Sequence, residues 1–298
     1  MASFIIRRIL WTIPVLLLAT FITFVMVKAL PYEPYNSPKL APSVKANLRK
    51  LHGLDKAWYE QYGIYVSDLL HGDLGVSSKP GNTPVKEKIS ATLPTSALLG
   101  SLAFLFSAIV GTALGVVGAT YANRWPDHLV TVVSTISFAL PIFIVARYWV
   151  EATPYYGWDT WSHRMGPIIV LGWAIMPYFT RLVRASMIET LHADFVTAAR
   201  AKGLPWRTTV VRHVLRNSLI PTVTNAGPLL GFMLTGSFII EYIMIVPGIG
   251  SEFVDAFRGT PDTRMALNTT VLLSTIIIVL NLIVDIIVSW LDPRIARD

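Results

Sequence analysis

A short basic stretch between two apolar regions carries residue types at a spacing that could serve a function. Asp194 suits the N-cap of a helix, and Arg200 and Lys202 suit its last turn. Gly203 suits the position just past the helix, and Pro205 prevents the helix from continuing. Because a helix of about two turns is marginal in water alone, it must pack against something else.

The side chains of this predicted helix suit a contact with another protein. Ala198, Ala199 and Gly203 are small enough to let a partner approach closely, and Phe195 could anchor that partner. A second helix is expected from residue 205 to about residue 219. The same residues would also suit a loop that packs only on its own chain, so both interpretations stay open.

Polar residues in the last apolar stretch form a second candidate site. Asn281 and Asp285 lie one turn apart and follow Thr270 and Ser274 at helical spacing, so the four would form one polar stripe. Asp285 is interpreted as the only carboxylate clearly inside an apolar stretch. The stripe would either hydrogen-bond neighbouring helices or line a transport pathway.

Motifs for enzymatic chemistry are absent from the sequence. There is no G-x-x-x-x-G-K-[ST] phosphate loop, no H-E-x-x-H zinc motif and no G-x-S-x-G nucleophile motif. The six histidines are scattered without metal-ligand spacing, and there are no cysteines. We therefore expect no enzyme and no cofactor or metal site in this chain, so energy must enter through a partner or a gradient.

The composition indicates that these residues are positioned by membrane-spanning helices. Of the 298 residues, 53% are hydrophobic and 14% are charged, whereas about 25% are charged in soluble domains. This composition excludes an ordinary soluble domain and a disordered chain. The formal net charge of +7 fits membrane orientation better than nucleic-acid binding, so no nucleic acid is expected as a partner.

Six apolar stretches are long enough to cross a bilayer, which requires about 20 residues. They cover residues 9–30, 95–121, 129–150, 167–183, 223–246 and 267–290. They predict an all-α membrane protein with six transmembrane helices and a long external region after the first. The predicted division is residues 1–30 for the first helix, residues 31–94 for the external region and residues 95–298 for the core.

Small residues in the second stretch predict a close contact between helices. Ser107, Gly111, Gly115 and Ala119 recur at four-residue spacing and so share one helix face. Helices in lipid pack through such faces because no hydrophobic drive brings them together.

Basic residues orient the predicted helices. Seven basic and two acidic residues lie between Arg181 and Arg216, the largest positive excess in the chain. Since connections rich in Lys and Arg stay in the cytoplasm, this segment and both termini are expected inside. Arg7 and Arg8 would also suit a signal peptide, but the apolar run after them is longer than such peptides carry, which favours a retained helix.

The segment that contains the short helix resembles the EAA loop of ATP-binding-cassette (ABC) importer permeases. The form of this loop is the one typical of oligopeptide and dipeptide permease B-type subunits, which belong to the peptide/nickel branch. The resemblance rests on Thr197–Gly203 and His213–Pro221. Further motifs of the same family occur along the chain in the expected order, at residues 6–9, 53–55, 61–63, 72–75, 93–95, 184–187, 241–250, 280–285 and 291–295. Thr197 stands where the general loop pattern has Glu. The resemblance covers nearly the whole chain.

This resemblance implies the fold and assembly of a type I ABC importer permease. The coupling loop would span about residues 187–221 and meet a cytoplasmic ATPase through Phe195, Ala198, Ala199, Arg200, Lys202 and Gly203. The implied partners are a homologous second permease, two cytoplasmic ATPases that bind ATP and Mg, and an external substrate-binding protein. The implied location is the lipid bilayer of a bacterial or archaeal plasma membrane.

The resemblance also implies the function of a permease for dipeptides and oligopeptides. Nickel chelates, glutathione and opines are alternative substrates within the same family. An ion-coupled secondary transporter is a rival class that would need no ATPase.

Overall fold

The computed structural model describes residues 2–29, 41–51, 53–79, 81–259 and 261–291. Within these ranges it does not describe the side chains of residues 2–9, 48, 51, 227, 228, 232, 234–236 and 284–291. The described residues form helices and their connections, with one isolated antiparallel bridge between Val76 and Pro84. The predicted all-α fold is therefore confirmed.

The helices follow one another with short connections. They are α1 (Ala2–Ala29), α2 (Pro42–Leu51), α3 (Trp58–Leu70), α4 (Val85–Thr120), α5 (Trp125–Ala139), α6 (Ile142–Ala152), α7 (Trp161–Leu191), α8 (Asp194–Ala201), α9 (Trp206–Thr208), a π-helical segment (Thr209–Val214), α10 (Leu215–Ser218), α11 (Ile220–Gly236), α12 (Phe238–Ile243), α13 (Ile249–Ala256) and α14 (Thr263–Leu291).

Four described helices are long and apolar enough to cross a membrane, namely α1, α4, α7 and α14. Helices α5 and α6 would add a fifth crossing if they formed one span, but they are bent by 93°. The break falls at Pro141, because the residue before a proline avoids helical geometry and Leu140 is extended with ψ 120°. The described residues thus do not confirm the predicted count of six.

The predicted fifth stretch is also divided. Helix α11 ends at Gly236, and α12 is a separate helix of six residues. Ile245 follows α12 with φ +56°, a left-handed conformation that is costly for a β-branched residue. Continuous hydrophobicity over residues 223–246 therefore does not produce a continuous helix.

The chain divides into two compact units. The first consists of the described residues of Met1–Thr95 together with Gly248–Ile278. Its core includes Phe24, Tyr65 and Leu267, and Arg264 Nη1 pairs with Asp68 Oδ2 at 3.0 Å. The predicted external region thus packs with the first helix and with a segment from late in the chain.

The second unit consists of Ser96–Pro247 and the described residues that follow Ile278. One core cluster combines residues of α4, α6, α7, α11 and α12 with Met244 and Val246, which follow α12. These residues are Leu99, Ala103, Ala146, Ile168, Val170, Leu171, Met233, Ile240, Met244 and Val246. A smaller cluster lies where α4 and α7 approach the basic segment.

Helices α4 and α7 meet along the small-residue face predicted from the sequence. A Cβ atom at Gly111 would lie 2.7 Å from the carbonyl oxygen of Met176, and one at Gly115 would lie 2.8 Å from that of Thr180. Ser107 lies one turn earlier and donates to a carbonyl oxygen of α7 at 2.7 Å. The two backbones are close enough that only glycine fits at both positions.

Gly115→Ala should destabilise the protein by about 1 to 3 kcal/mol, because the added methyl group meets backbone atoms that cannot rotate away. Gly63→Ala is the matched control, since an added Cβ there meets nothing within 4 Å in an exposed helix. The thermal unfolding midpoint of each purified variant in detergent measures its stability. Equal midpoints for the two variants would contradict the close contact of α4 with α7.

Candidate coupling surface

Helix α8 begins as the sequence predicts, but with a different cap. Ala193 is the N-cap residue, with ψ 147°, and Asp194 is the first residue of the helix. The prediction that Asp194 is the N-cap is therefore wrong by one position. In the first turn its carboxylate still lies where the partial positive charge of the helix end favours an anion.

The C-terminal end of α8 is a Schellman motif. Gly203 takes φ +79°, its N–H donates to the carbonyl of Arg200 at 2.9 Å, and the N–H of Leu204 donates to that of Ala199 at 3.3 Å. Glycine adopts this left-handed conformation without steric cost, as predicted for this position. The chain therefore turns sharply and returns as the second helical segment of a hairpin.

The inner face of this helical hairpin packs against its own chain. Val196 of α8 and Val210 and Val214 of the π-helical segment are buried with residues of the neighbouring helices. The cluster they join contains Ala119, Val183 and Met187. A π-helical segment is uncommon and is often found at functional sites.

The outer face of α8 is exposed and carries both apolar and basic side chains. Phe195, Ala198 and Lys202 follow the helical spacing i, i+3 and i+7, and the Phe195 side chain is 41% exposed. Trp206 adds a second exposed ring, over which the Arg200 guanidinium carbon lies 5.4 Å from the ring centroid. We call Phe195, Ala198, Arg200, Lys202 and Trp206 the outer patch.

Five of the six predicted contact residues are exposed. They are Phe195, Ala198, Arg200, Lys202 and Gly203, whereas Ala199 is buried on the inner face. Ala199 therefore holds α8 to its own chain rather than forming part of the outer patch. Trp206 was missed, although an aromatic residue directly after the Gly-Leu-Pro turn is a sequence signal for such a patch.

A buried ion pair fixes the helix that leads into α8. Arg184 of α7 donates through Nε to Asp127 Oδ1 at 2.6 Å and through Nη2 to Asp127 Oδ2 at 2.7 Å. The Asp127 side chain is only 3% exposed and also accepts from the N–H of Asn123 at 2.9 Å. A bidentate arrangement of this kind fixes orientation as well as distance. From the sequence, Arg184 was predicted only as part of a motif, and Asp127 was not predicted.

The predicted pathway residues are described in part. Asn281 lies on α14, and its Oδ1 is buried without a hydrogen-bond partner among the described residues. Asp285 lies on the same helix, but its side chain is outside the described residues.

The interpretation of Asp285 as the only carboxylate inside an apolar stretch is wrong. Glu241, in the predicted fifth stretch, is fully buried and accepts a hydrogen bond from the Ser237 hydroxyl. In the sequence, Glu241 is a charged residue near the end of an apolar run. Hydropathy averaged over the whole run hides this single charge.

Matches of two regions of the sequence decide which family the chain belongs to. Residues 111–297 match the family described as binding-protein-dependent transport system inner membrane component, and residues 1–92 match the N-terminal region of such membrane components. The chain belongs to this permease family. The resemblance noted from the coupling loop is thereby confirmed.

Curated relatives of this permease match it from end to end. It is 35% identical to the dipeptide transport system permease protein DppB of Lactococcus lactis subsp. cremoris, over 99% of both chains. It is 36% identical to the oligopeptide transport system permease protein OppB of Salmonella typhimurium and 33% identical to the glutathione transport system permease protein GsiC of Shigella flexneri, again over 99% of each chain.

A solved structure supports the fold of this permease. An inward-facing structure of the MetNI methionine ABC transporter matches it with a TM-score of 0.59 and 17% sequence identity. The match covers 67% of this chain and 94% of the solved one. The fold predicted from the sequence is thus that of an ABC importer permease.

Asp127→Asn should destabilise the permease by about 2 to 3 kcal/mol, because it leaves the partly buried Arg184 without its counter-ion. Arg147→Gln is the control, since Arg147 and Glu151 form an ion pair at 2.7 Å with side chains 67% and 52% exposed. Removing an exposed pair should cost under about 1 kcal/mol. Thermal unfolding in detergent compares the stabilities of the two variants. A larger loss of stability in Arg147→Gln than in Asp127→Asn would contradict the role given to Asp127.

Proposed function

We propose that this chain is a permease subunit of an ABC importer for dipeptides and oligopeptides. With a homologous second permease it forms the translocation pathway. An external binding protein delivers the peptide, and two cytoplasmic ATPases drive the cycle. The full-length similarity to the dipeptide and oligopeptide permeases is the observation that carries this proposal.

The outer patch supports a partner on the cytoplasmic side. Phe195, Trp206 and Arg200 of this patch are of the aromatic and arginine types that are enriched in protein interfaces. Val196, on the inner face of α8, belongs to the buried cluster that also contains residues of α4 and α7. A partner that grips the outer patch would therefore move those helices together with α8.

The energy for transport comes from the partner ATPases in this proposal. The sequence has no phosphate-binding loop of the G-x-x-x-x-G-K-[ST] kind, so it has no such site of its own for ATP. ATP and Mg therefore bind to the partner subunits. Closure of the two ATPases would pull on α8 and switch the bundle between two states, as in other rocking transporters.

The orientation of the chain follows from its charges. With the segment between Arg181 and Arg216 in the cytoplasm, the N- and C-termini lie on the same side. The chain is then a multi-pass protein of a bacterial or archaeal plasma membrane. The residues between α1 and α4 face outward, where an external binding protein would dock.

Glutathione is the second candidate substrate. The 33% identity to the glutathione permease GsiC is only slightly below that to the two peptide permeases. Glutathione is itself a short peptide, so both candidates need the same kind of pathway.

Reconstitution of the complete assembly in proteoliposomes tests this function. With ATP inside and the binding protein outside, a labelled dipeptide should accumulate against its gradient. Labelled glutathione should not accumulate in the same assay, and its accumulation in place of the dipeptide would favour the second candidate. Dipeptide uptake by this chain alone, driven by an ion gradient, would refute the proposal in favour of a secondary transporter.

Ala198→Trp should uncouple ATP hydrolysis from uptake, because a large ring in the middle of the outer patch would hold the partner away. We expect at least a tenfold loss of transport rate, equivalent to about 1.4 kcal/mol in the barrier to transport, with the protein still inserted. Ala152→Trp, at the exposed C-terminal end of α6, should transport normally. Equal transport by both variants would show that α8 is not the docking element.

Substitutions of Gly203 test the backbone conformation of the hairpin turn separately from the outer patch. A Cβ at this position would meet no atom within 4 Å, so any loss must come from the backbone conformation at φ +79°. Gly203→Asn should retain most transport, because Asn tolerates this conformation, whereas Gly203→Val should lose it. Similar transport by Asn and Val variants would contradict the Schellman turn as the determinant.

A further inference from the structure

The first unit contains a cavity of about 260 Å³. It lies between the end of α1, helix α3, the segment around residues 73–78 and the beginning of α14. The volume is slightly below the range of about 300–1,000 Å³ found for drug-sized ligands. The cavity therefore suits a small ligand rather than an extended chain.

One wall of the cavity is apolar and well packed. Phe24, Val27 and Leu267 line it, and each of these side chains is at least 94% buried. Leu54 and Ile64 extend the apolar lining. A hydrophobic side chain of a ligand would be covered on this wall.

Charges of both signs line the same cavity. Lys28 and Arg264 contribute positive charge, and Asp68 and Asp73 contribute negative charge. The Arg264 and Asp68 side chains pair at 3.0 Å, and both remain more than a quarter exposed. The lining thus offers a cation site and an anion site to one ligand.

Two of these groups are held in place before any ligand arrives. Asp73 Oδ1 accepts the N–H of Gly75 at 2.8 Å, which fixes the carboxylate in a turn. The Arg264 guanidinium carbon lies 5.8 Å from the centroid of the Tyr65 ring. Burial raises the pKa of the Tyr65 phenol above its ordinary value, so Tyr65 is neutral and adds no charge. Preorganised groups reduce the entropy lost on binding.

We propose that this cavity binds a short peptide through its two free termini. The carboxylates of Asp73 and Asp68 receive the peptide ammonium group, Lys28 and Arg264 receive its carboxylate, and the apolar wall covers a side chain. This inference rests on the proposed peptide import. It assigns to the outward-facing unit of this chain a holding site for peptides that have left the binding protein.

Calorimetric titration of leucyl-leucine into the full chain tests the site. The chain is held in nanodiscs of phosphatidylcholine, with circular dichroism to check that each variant is folded. Leucyl-leucine with free termini should bind at least tenfold more tightly than its N-acetylated amide, because each terminus makes hydrogen bonds between charged groups. Equal binding of the two ligands, or no binding of either, would overturn the proposal.

Asp73→Asn separates charge from structure at this site. The Asn Oδ1 can still accept the N–H of Gly75, so the turn survives while the negative charge is lost. Binding of leucyl-leucine should weaken roughly tenfold. Asp55→Asn is the matched control, because Asp55 is exposed and does not line the cavity. Unchanged binding in Asp73→Asn, or equal weakening in both variants, would overturn the proposal.

A phospholipid headgroup with an ammonium and a phosphate group has similar chemistry, so lipid is varied as a separate arm. Phosphatidylethanolamine added to the nanodiscs should leave peptide binding unchanged. Loss of peptide binding in its presence would overturn the proposal and assign the cavity to lipid. If the assembled transporter imports dipeptide while this chain binds none, the holding site is wrong and the proposed function stands; if no dipeptide is imported, the function itself is wrong.

Discussion

The close contact between α4 and α7 is the constraint on which the second unit depends. No hydrophobic drive holds helices together in lipid, so their backbones must approach through small residues and direct hydrogen bonds. Gly111 and Gly115 provide that approach, and the Ser107 hydroxyl bonds across it. Because α7 continues without a break to Leu191, the contact sets the position from which α8 leaves the bundle.

Helix α8 has one buried face and one exposed face. Val196 and Ala199 attach it to its own chain, while Phe195 and Ala198 point away. The two interpretations left open by the sequence are therefore compatible, since the hairpin packs on its own bundle and still leaves an apolar surface uncovered. The ion pair between Asp127 and Arg184 lies two turns before the end of α7 and makes that end less free to rotate. A pull on α8 would thus reach α5 as well as α7.

The sequence predicted local features better than the way helices break and meet. The end of α8 at Gly203 follows from the conformation that glycine takes most easily. The bend at Pro141 was missed because hydropathy averages over a proline whose effect is local. The pairing of Asp127 with Arg184 joins residues far apart in the chain, and no spacing rule links them. Ala199 lies on the buried face of α8, because a two-turn helix must spend one face on its own support, and its role in coupling stays a prediction.

Site-specific crosslinking tests the central claim most directly. The chain has no cysteine, so Ala198→Cys places a single thiol in the outer patch. Labelled with a photoreactive benzophenone maleimide and irradiated in the assembled transporter, this variant should form an adduct with an ATPase subunit, whereas Ala46→Cys should form none. An adduct of equal yield from both positions, or none from Ala198→Cys in a transporter that still hydrolyses ATP, would contradict the account.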